Sequence, residues 1–287
     1  MAEARCPASC GELIQGWISG GEKLVSCPID WFSTVEVSTG DANLSRQRPM
    51  MRKALDLALS QLHIPNTESL QLKIDFHSTI PVAKGMASST ADIAATIAAT
   101  YRHFKTSCSA HQIAALCTQL EPTDSTMFQP LTLFEHKKGS LATSYGSFEN
   151  IDILVLENQA HIKTCRFHQI DNRHNLLDSS NALDLANKTL IEAVAQQDPR
   201  KLGLASTISA IENQTILLKP HFLSLLKLVE KHDLYGLNIA HSGSVVGLLC
   251  NTREHDTEKI AHEISKLKPT NSYTSVHLNQ IIKGGIR

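Results

Sequence analysis

Residues Pro81 to Asp92, PVAKGMASSTAD, join a small-residue loop to the expected start of a helix. At such a junction backbone N–H groups can surround a phosphate, which points to nucleotide chemistry. Gly85 permits close approach of backbone to ligand, and Ser88 or Ser89 is placed to cap the helix predicted for ADIAATIAATYRHF. Further along, EPTDST holds Glu121 and Asp124. It interrupts the helical pattern AHQIAALCTQL, and its Pro122 disfavours a continued helix and favours a shaped turn that sets acids beside a pocket. A third segment, HSGSVVGLLC from His241 to Cys250, puts Ser and Gly before a short apolar strand, a context for close backbone packing or a phosphate contact. On residue types alone, a packed strand-loop-helix junction with no ligand explains the first segment equally well.

The elements that must position these residues alternate between strand and helix. SLQLKIDFH places Leu70, Leu72, Ile74 and Phe76 on one face and Gln71, Lys73, Asp75 and His77 on the other, as a half-buried strand requires. Leu24 to Val37, LTLFE, IDILVLE and YTSVHL read as further strands. Helical spacing runs through Met50 to Leu62, AHQIAALCTQL behind a Ser109 cap, ALDLANKTLIEAVAQQ, FLSLLKLVEKH and HDTEKIAHEISKLK. The pattern predicts an α+β fold in two joined lobes, residues 1–150 and 151–287, with the break near GSFEN before IDILVLE.

A chain of 287 residues with 42% hydrophobic content has ample material for a core. With 27 basic and 28 acidic residues, no basic excess points to nucleic acid or an anionic membrane, which leaves a small neutral or zwitterionic substrate. The N-terminus lacks an apolar run of secretory length and no run of 18 apolar residues suggests a membrane span, so the cytoplasm is expected. Seven cysteines, at 6, 10, 27, 108, 117, 165 and 250, are odd in number and unpaired in spacing, as reduced thiols are. Cys6 and Cys10 lack the second cysteine pair or histidine cluster that a metal site needs. The 14 histidines are scattered, and His221 and His232 read as surface or structural.

CPASCGELIQG, PVAKGMASSTAD and AHSGSVVGLL, in that order, resemble the three ordered motifs of the GHMP kinases, and the similarity spans nearly the whole chain. Within that family, CPASCGELIQG, VSCPIDW, GMASSTAD, EPTDST and NIAHSGSVVG are most similar to the branch that phosphorylates free L-threonine in cobalamin biosynthesis. The resemblance implies a two-lobed GHMP kinase fold, with ATP and substrate bound between the lobes and phosphoryl transfer to a small-molecule hydroxyl. A homodimer is compatible with it. Two alternatives stand beside this reading. One is a GHMP kinase for another alcohol, such as homoserine or a mevalonate-like compound. The other is a protein that holds a nucleotide without transferring phosphate, which an Asp124 away from any accessible cleft would favour.

The resemblance also implies roles. Lys84, Gly85, Met86, Ala87, Ser88, Ser89 and Thr90 would surround the ATP phosphates, with Lys84 either a phosphate contact or an exposed loop lysine. Ser89 would meet Mg²⁺, with Glu121 as the nearby carboxylate. No GxxxxGK[ST] is present, so this is not a Walker A loop, and Ala87 and Thr90 depart from the commoner family form GxGSSAA. Asp124 aligns with the family aspartate that accepts or orients the acceptor hydroxyl's proton; free Asp has a pKa of about 3.9, so its position matters more than its intrinsic basicity. Ser9 stands where many relatives carry lysine. With Gly11 and Glu12 it falls near the substrate or the lobe junction, and Glu12 or Asp30 is a candidate partner for a substrate ammonium. His241, Ser242 and Gly243 would border the substrate or the nucleotide, His241 being equally suited to a structural role.

Overall fold

Runs of buried residues mark both arms of a long N-terminal hairpin, β1 (Ala2–Ile18) and β2 (Gly21–Thr39). It reverses at Ser19 and Gly20, whose φ values of 47° and 78° are the pair of positive angles that a tight two-residue turn demands. The computed structural model describes residues 1–42, 44–158, 173–267 and 273–287. Around the hairpin assemble β3 (Leu72–Ser78), β4 (Leu131–Phe134), β5 (Ala142–Gly146), β6 (Asp152–Asn158), β7 (Gly236–Ile239), β8 (Val246–Cys250) and β9 (Tyr273–Gln280). Among the described residues they form one sheet in the order β5-β4-β2-β1-β7-β8-β6-β9, with β3 also on β2. The expected break at 150 falls in the loop between β5 and β6, and the pairing of Glu12 with Ile239 joins strands from both sides of it.

The helices are α1 (Pro49–Gln61), α2 (Ser88–His103), α3 (Ala110–Leu120), α4 (Arg173–Asp178), α5 (Ser180–Gln196), α6 (Pro199–Asn213), α7 (Phe222–Lys231) and α8 (Thr257–Ser265). Buried on nearly every side, α2 packs on β1, β2, α1 and α3. Its run of alanines makes that possible, because small side chains let its backbone come close to the sheet. Ser109 caps α3 as expected, in a reciprocal capping box with Gln112.

Two expectations need correction. Leu70 does not lie on the buried face of β3. It sits in a 3-10 turn, Asn66–Gln71, and is 64% exposed, because antiparallel pairing with β2 begins only at Leu72 opposite Thr39. Phe76 is half-buried, its ring under the Arg48 guanidinium at 5.2 Å. The spacing also fails to announce α6, which buries Leu202, Gly203, Ala205, Ser206, Ser209 and Ala210. Small and hydroxyl residues line that face, so it carries little apolar periodicity; Gly203 lies so close to the Tyr235 backbone that a Cβ would overlap it. Its start was nevertheless marked, since Asp198 accepts from the Arg200 and Lys201 N–H groups ahead of Pro199.

Cys6, Cys10, Cys27, Cys108, Cys117 and Cys250 are free, and burial pushes the Cys6 thiol up to about 12; Cys165 lies outside the described residues. No cluster of three or more potential metal-ligating His, Cys, Asp or Glu occurs among the described residues. No described helix is long and apolar enough to cross a membrane.

Candidate active site

The loop before α2 alternates its backbone hand. Ala83, Gly85 and Ala87 take φ values of 60°, 79° and 58°, and such alternation turns successive N–H groups toward one concavity. Neither Ser88 nor Ser89 caps the helix. Ala87 is the N-cap, with no side-chain cap, and its carbonyl accepts the first helical bond from Ala91 at 2.8 Å. The reason is that the chain enters the helix from a left-handed residue, which places both serines inside the first turn. The uncapped N–H groups and the helix dipole then leave a site suited to an anion.

Left-handed alanine costs about 1–2 kcal/mol, so the loop must be held by its surroundings. Lys84 O accepts from Ser244 N at 2.9 Å and Val245 N at 3.1 Å, and Met86 O accepts from Ser9 N at 3.2 Å. A Cβ on Gly85 would overlap Ala240 and crowd Gly243, and one on Gly11 would overlap the Ile239–Ala240 backbone. Three segments far apart in sequence, the irregular middle of β1 at Gly11, the loop at Gly85 and the turn after β7, therefore meet around Ala240. Met86 is a core side chain, and the buried Lys84 ammonium donates to Asn158 O.

Thr90, in the first turn of α2, links that turn to the acidic loop. Its hydroxyl donates to Asp124 Oδ2 at 3.1 Å and accepts from the Asp124 N–H and the Thr123 hydroxyl, both at 3.2 Å. Ser26 and Ser125 brace the loop from β2 by exchanging backbone-to-hydroxyl bonds of 2.9 and 3.0 Å. Burial, the nearby Glu12 charge and the Glu121 charge together push the Asp124 carboxyl up to about 7, against hydrogen bonds from Thr90 and Ser26. Glu121 is likewise raised by burial, opposed by a hydrogen bond from Ser89. Ser89 and Glu121 are thus adjacent, and their hard oxygen donors suit Mg²⁺, which keeps few protein ligands and completes its shell with phosphate and water.

Glu12 and His241 form a buried pair. Glu12 Oε2 accepts from the His241 N–H at 2.9 Å and lies 3.0 Å from Nδ1, while Nε2 lies 3.0 Å from Ser209 Oγ. Lys219, which the sequence did not single out, is also buried and donates to Gly243 O at 2.8 Å. Burial pulls its ammonium down to about 7, opposed by the Glu12 charge. Ser242 is half-buried beside them. Ser9 and Asp30 are placed differently. The Ser9 hydroxyl is fully buried, donating to Gly11 O and accepting from Cys27 N at 2.9 Å. Exposed Asp30 accepts from Asn279 Nδ2 at 2.8 Å and Gln280 N at 3.1 Å, tying β2 to β9. Ser26, Ser209 and Lys219 went unnoticed because each acts through a partner distant in sequence; an isolated lysine ending the apolar run ILLK was the one local sign.

The arrangement combines a helix start suited to an anion, an adjacent pair of hard oxygen donors, and an acid whose pKa is raised to about 7. The family model of the GHMP kinases N terminal domain matches residues 50–129, and that of the GHMP kinases C terminal matches residues 190–269. An L-threonine kinase of Salmonella typhimurium is 46% identical over 287 residues, covering 100% of this chain and 95% of that protein. An L-threonine kinase of Citrobacter freundii is 47% identical over 286 residues, with 100% and 99% covered. Among solved structures, a homoserine kinase from Cytophaga hutchinsonii superposes with a TM-score of 0.72 at 13% identity, covering 100% of this chain and 96% of that one.

Proposed function

The chain belongs to the GHMP kinase family, and from that premise we propose that it transfers the γ-phosphoryl group of ATP to the side-chain hydroxyl of L-threonine, releasing O-phospho-L-threonine and ADP. The observation that carries the mechanism is the Thr90–Asp124 link, which sets a carboxylate of near-neutral pKa at the mouth of the α2 helix start. The threonine oxygen forms its bond to the γ-phosphorus as the bond to the β,γ-bridging oxygen breaks, and the hydroxyl proton passes to Asp124. Residues 83–90 cradle the phosphates through backbone N–H groups, and Thr90 and Ser26 orient the Asp124 carboxyl. Ser89 and Glu121 would hold Mg²⁺, which supplies charge neutralisation on the phosphate oxygens.

Glu12, His241, Ser242 and Gly243 wall the acceptor side between the two lobes, 1–150 and 151–287. Ser9 and Asp30 act on the strands that carry this wall. The product suits assembly of the cobalamin nucleotide loop in the cytoplasm. The test is to incubate the purified protein with ATP, Mg²⁺ and L-threonine and identify the product by phosphorus NMR. Stoichiometric O-phospho-L-threonine and ADP are expected; ATP hydrolysis without a phosphorylated amino acid would contradict the proposal.

A further inference from the structure

Lys219 sits in the short connection between α6 and α7, and both of its backbone groups are committed there. Its N–H donates to Gln214 Oε1 at 2.9 Å and its carbonyl accepts from Phe222 N at 3.3 Å, so the residue is clamped between the end of one helix and the start of the next. From that base the side chain crosses to the turn after β7, where Nζ donates to Gly243 O at 2.8 Å. Among the described residues no carboxylate pairs with it, and its acceptor is a neutral carbonyl. A lysine only 5% exposed and without an ion pair is costly to bury, and a methionine of similar length would fill the space without that cost. What the ammonium gains lies in the bond that it makes.

That bond reaches the phosphate loop in one further step. Inside the turn Gly243 N meets Ala240 O at 3.5 Å, a long bond, so the turn takes its shape from what holds it outside. One such hold is Lys84 O, which accepts from Ser244 N and Val245 N; Lys219 supplies another at Gly243. Gly243 in turn backs Gly85 so closely that a Cβ on Gly243 would overlap both Lys84 O and the Gly85 backbone. A turn free to shift would leave Gly85 without support for the φ of 79° that helps aim the loop N–H groups at one concavity. His241, in the same turn, is held separately by Glu12 and Ser209.

Resting on the ATP-dependent reading above, we propose that Lys219 is a positioning residue for the nucleotide: its ammonium pins the Gly243 carbonyl, and through Gly243 it holds the 83–90 loop in the shape that receives the phosphates. It acts through the turn and not by touching ATP.

The test measures MgATP binding by titration calorimetry without acceptor, steady-state kinetics and thermal melting for wild type, Lys219→Met, Gly243→Ala and the double variant. Lys219→Met should weaken MgATP binding and raise the KM for ATP by about tenfold, with a smaller change in the KM for threonine. Its Tm should stay within about 2 °C of wild type, because relief of the buried charge offsets the carbonyl left without its donor. Gly243→Ala should also weaken MgATP binding, and the double variant should lose less than the sum of the two, since both act on one turn. Should Gly243→Ala not fold, the binding and melting of Lys219→Met decide. Unchanged MgATP affinity in Lys219→Met, whether with a lowered Tm or with a raised KM for threonine alone, overturns the positioning role, as does full additivity. Wild-type protein that does not bind MgATP overturns the functional reading and this role with it.

Discussion

At Asp124 two demands oppose each other: a proton acceptor must be ionised to work, yet burial beside Glu12 and Glu121 favours the protonated form. With the pKa raised to about 7, kcat/KM should rise about tenfold per pH unit below neutrality and level off above it. Asp124→Asn should abolish that limb and slow single-turnover transfer by about 100-fold while ATP binding persists, as titration calorimetry would report. The linked stability effect has the opposite sign. A carboxyl with a raised folded-state pKa binds its proton more tightly in the folded chain, so its ionisation destabilises the fold between pH 4 and 7, and this is fully felt above 7. Asp124→Asn should therefore melt about 2–4 °C above wild type at pH 8 and show no such gain at pH 4. The position of Asp124 was readable from EPTDST, but its basicity was not, because Glu12 approaches it only through the fold. Ser89→Ala removes the hydroxyl that bonds Glu121; kcat/KM should drop about tenfold and half-saturation should need more Mg²⁺, with circular dichroism unchanged. A variant with normal Mg²⁺ dependence would remove Ser89 from that role.

Among the elements, the loop before α2 is a shape imposed by its neighbours. Ala240 stands where Gly11 of β1 and Gly85 converge, so a larger residue there must push a strand and a loop away at once. Ala240→Leu should raise the KM for ATP by tenfold or more and lower Tm, whereas Ser109→Ala, which removes the α3 capping box, should cost about 1 kcal/mol in denaturant unfolding and leave the kinetics alone. Equal kinetic effects from the two would argue against the interlocked loops as the basis of nucleotide binding. Most elements could be read from periodicity, including α2 and β6. The N-cap was misjudged because serine preference favoured Ser88 or Ser89, while the entry of the chain through left-handed Ala87 is decided by contacts with Ser9, Ser244 and Ala240. Helix α6 escaped notice for a related reason: its buried face is built of Gly, Ala and Ser chosen for close approach, which leaves no apolar stripe.

Over the whole molecule, the α+β class and the order of the three motifs were legible because each depends on local pattern. The assembled site was less so. Ser209, Lys219 and Ser26 reach it from α6, the α6–α7 loop and β2, and only the sheet that sets β1 beside β7 brings them together. On the proposed function the same convergence predicts selectivity, since an acceptor would be measured between Asp124 and the wall formed by Glu12, His241, Ser242 and Gly243. A longer side chain would carry its hydroxyl past the carboxylate, and one lacking the methyl would lose apolar contact of about 1.4–3 kcal/mol, tenfold or more. The most direct test is the ratio of kcat/KM values for L-threonine, L-serine and L-homoserine, measured with saturating ATP and Mg²⁺ and with each phosphorylated product resolved. Threonine is predicted to lead both by tenfold or more; homoserine turnover equal to or above that of threonine would contradict the account.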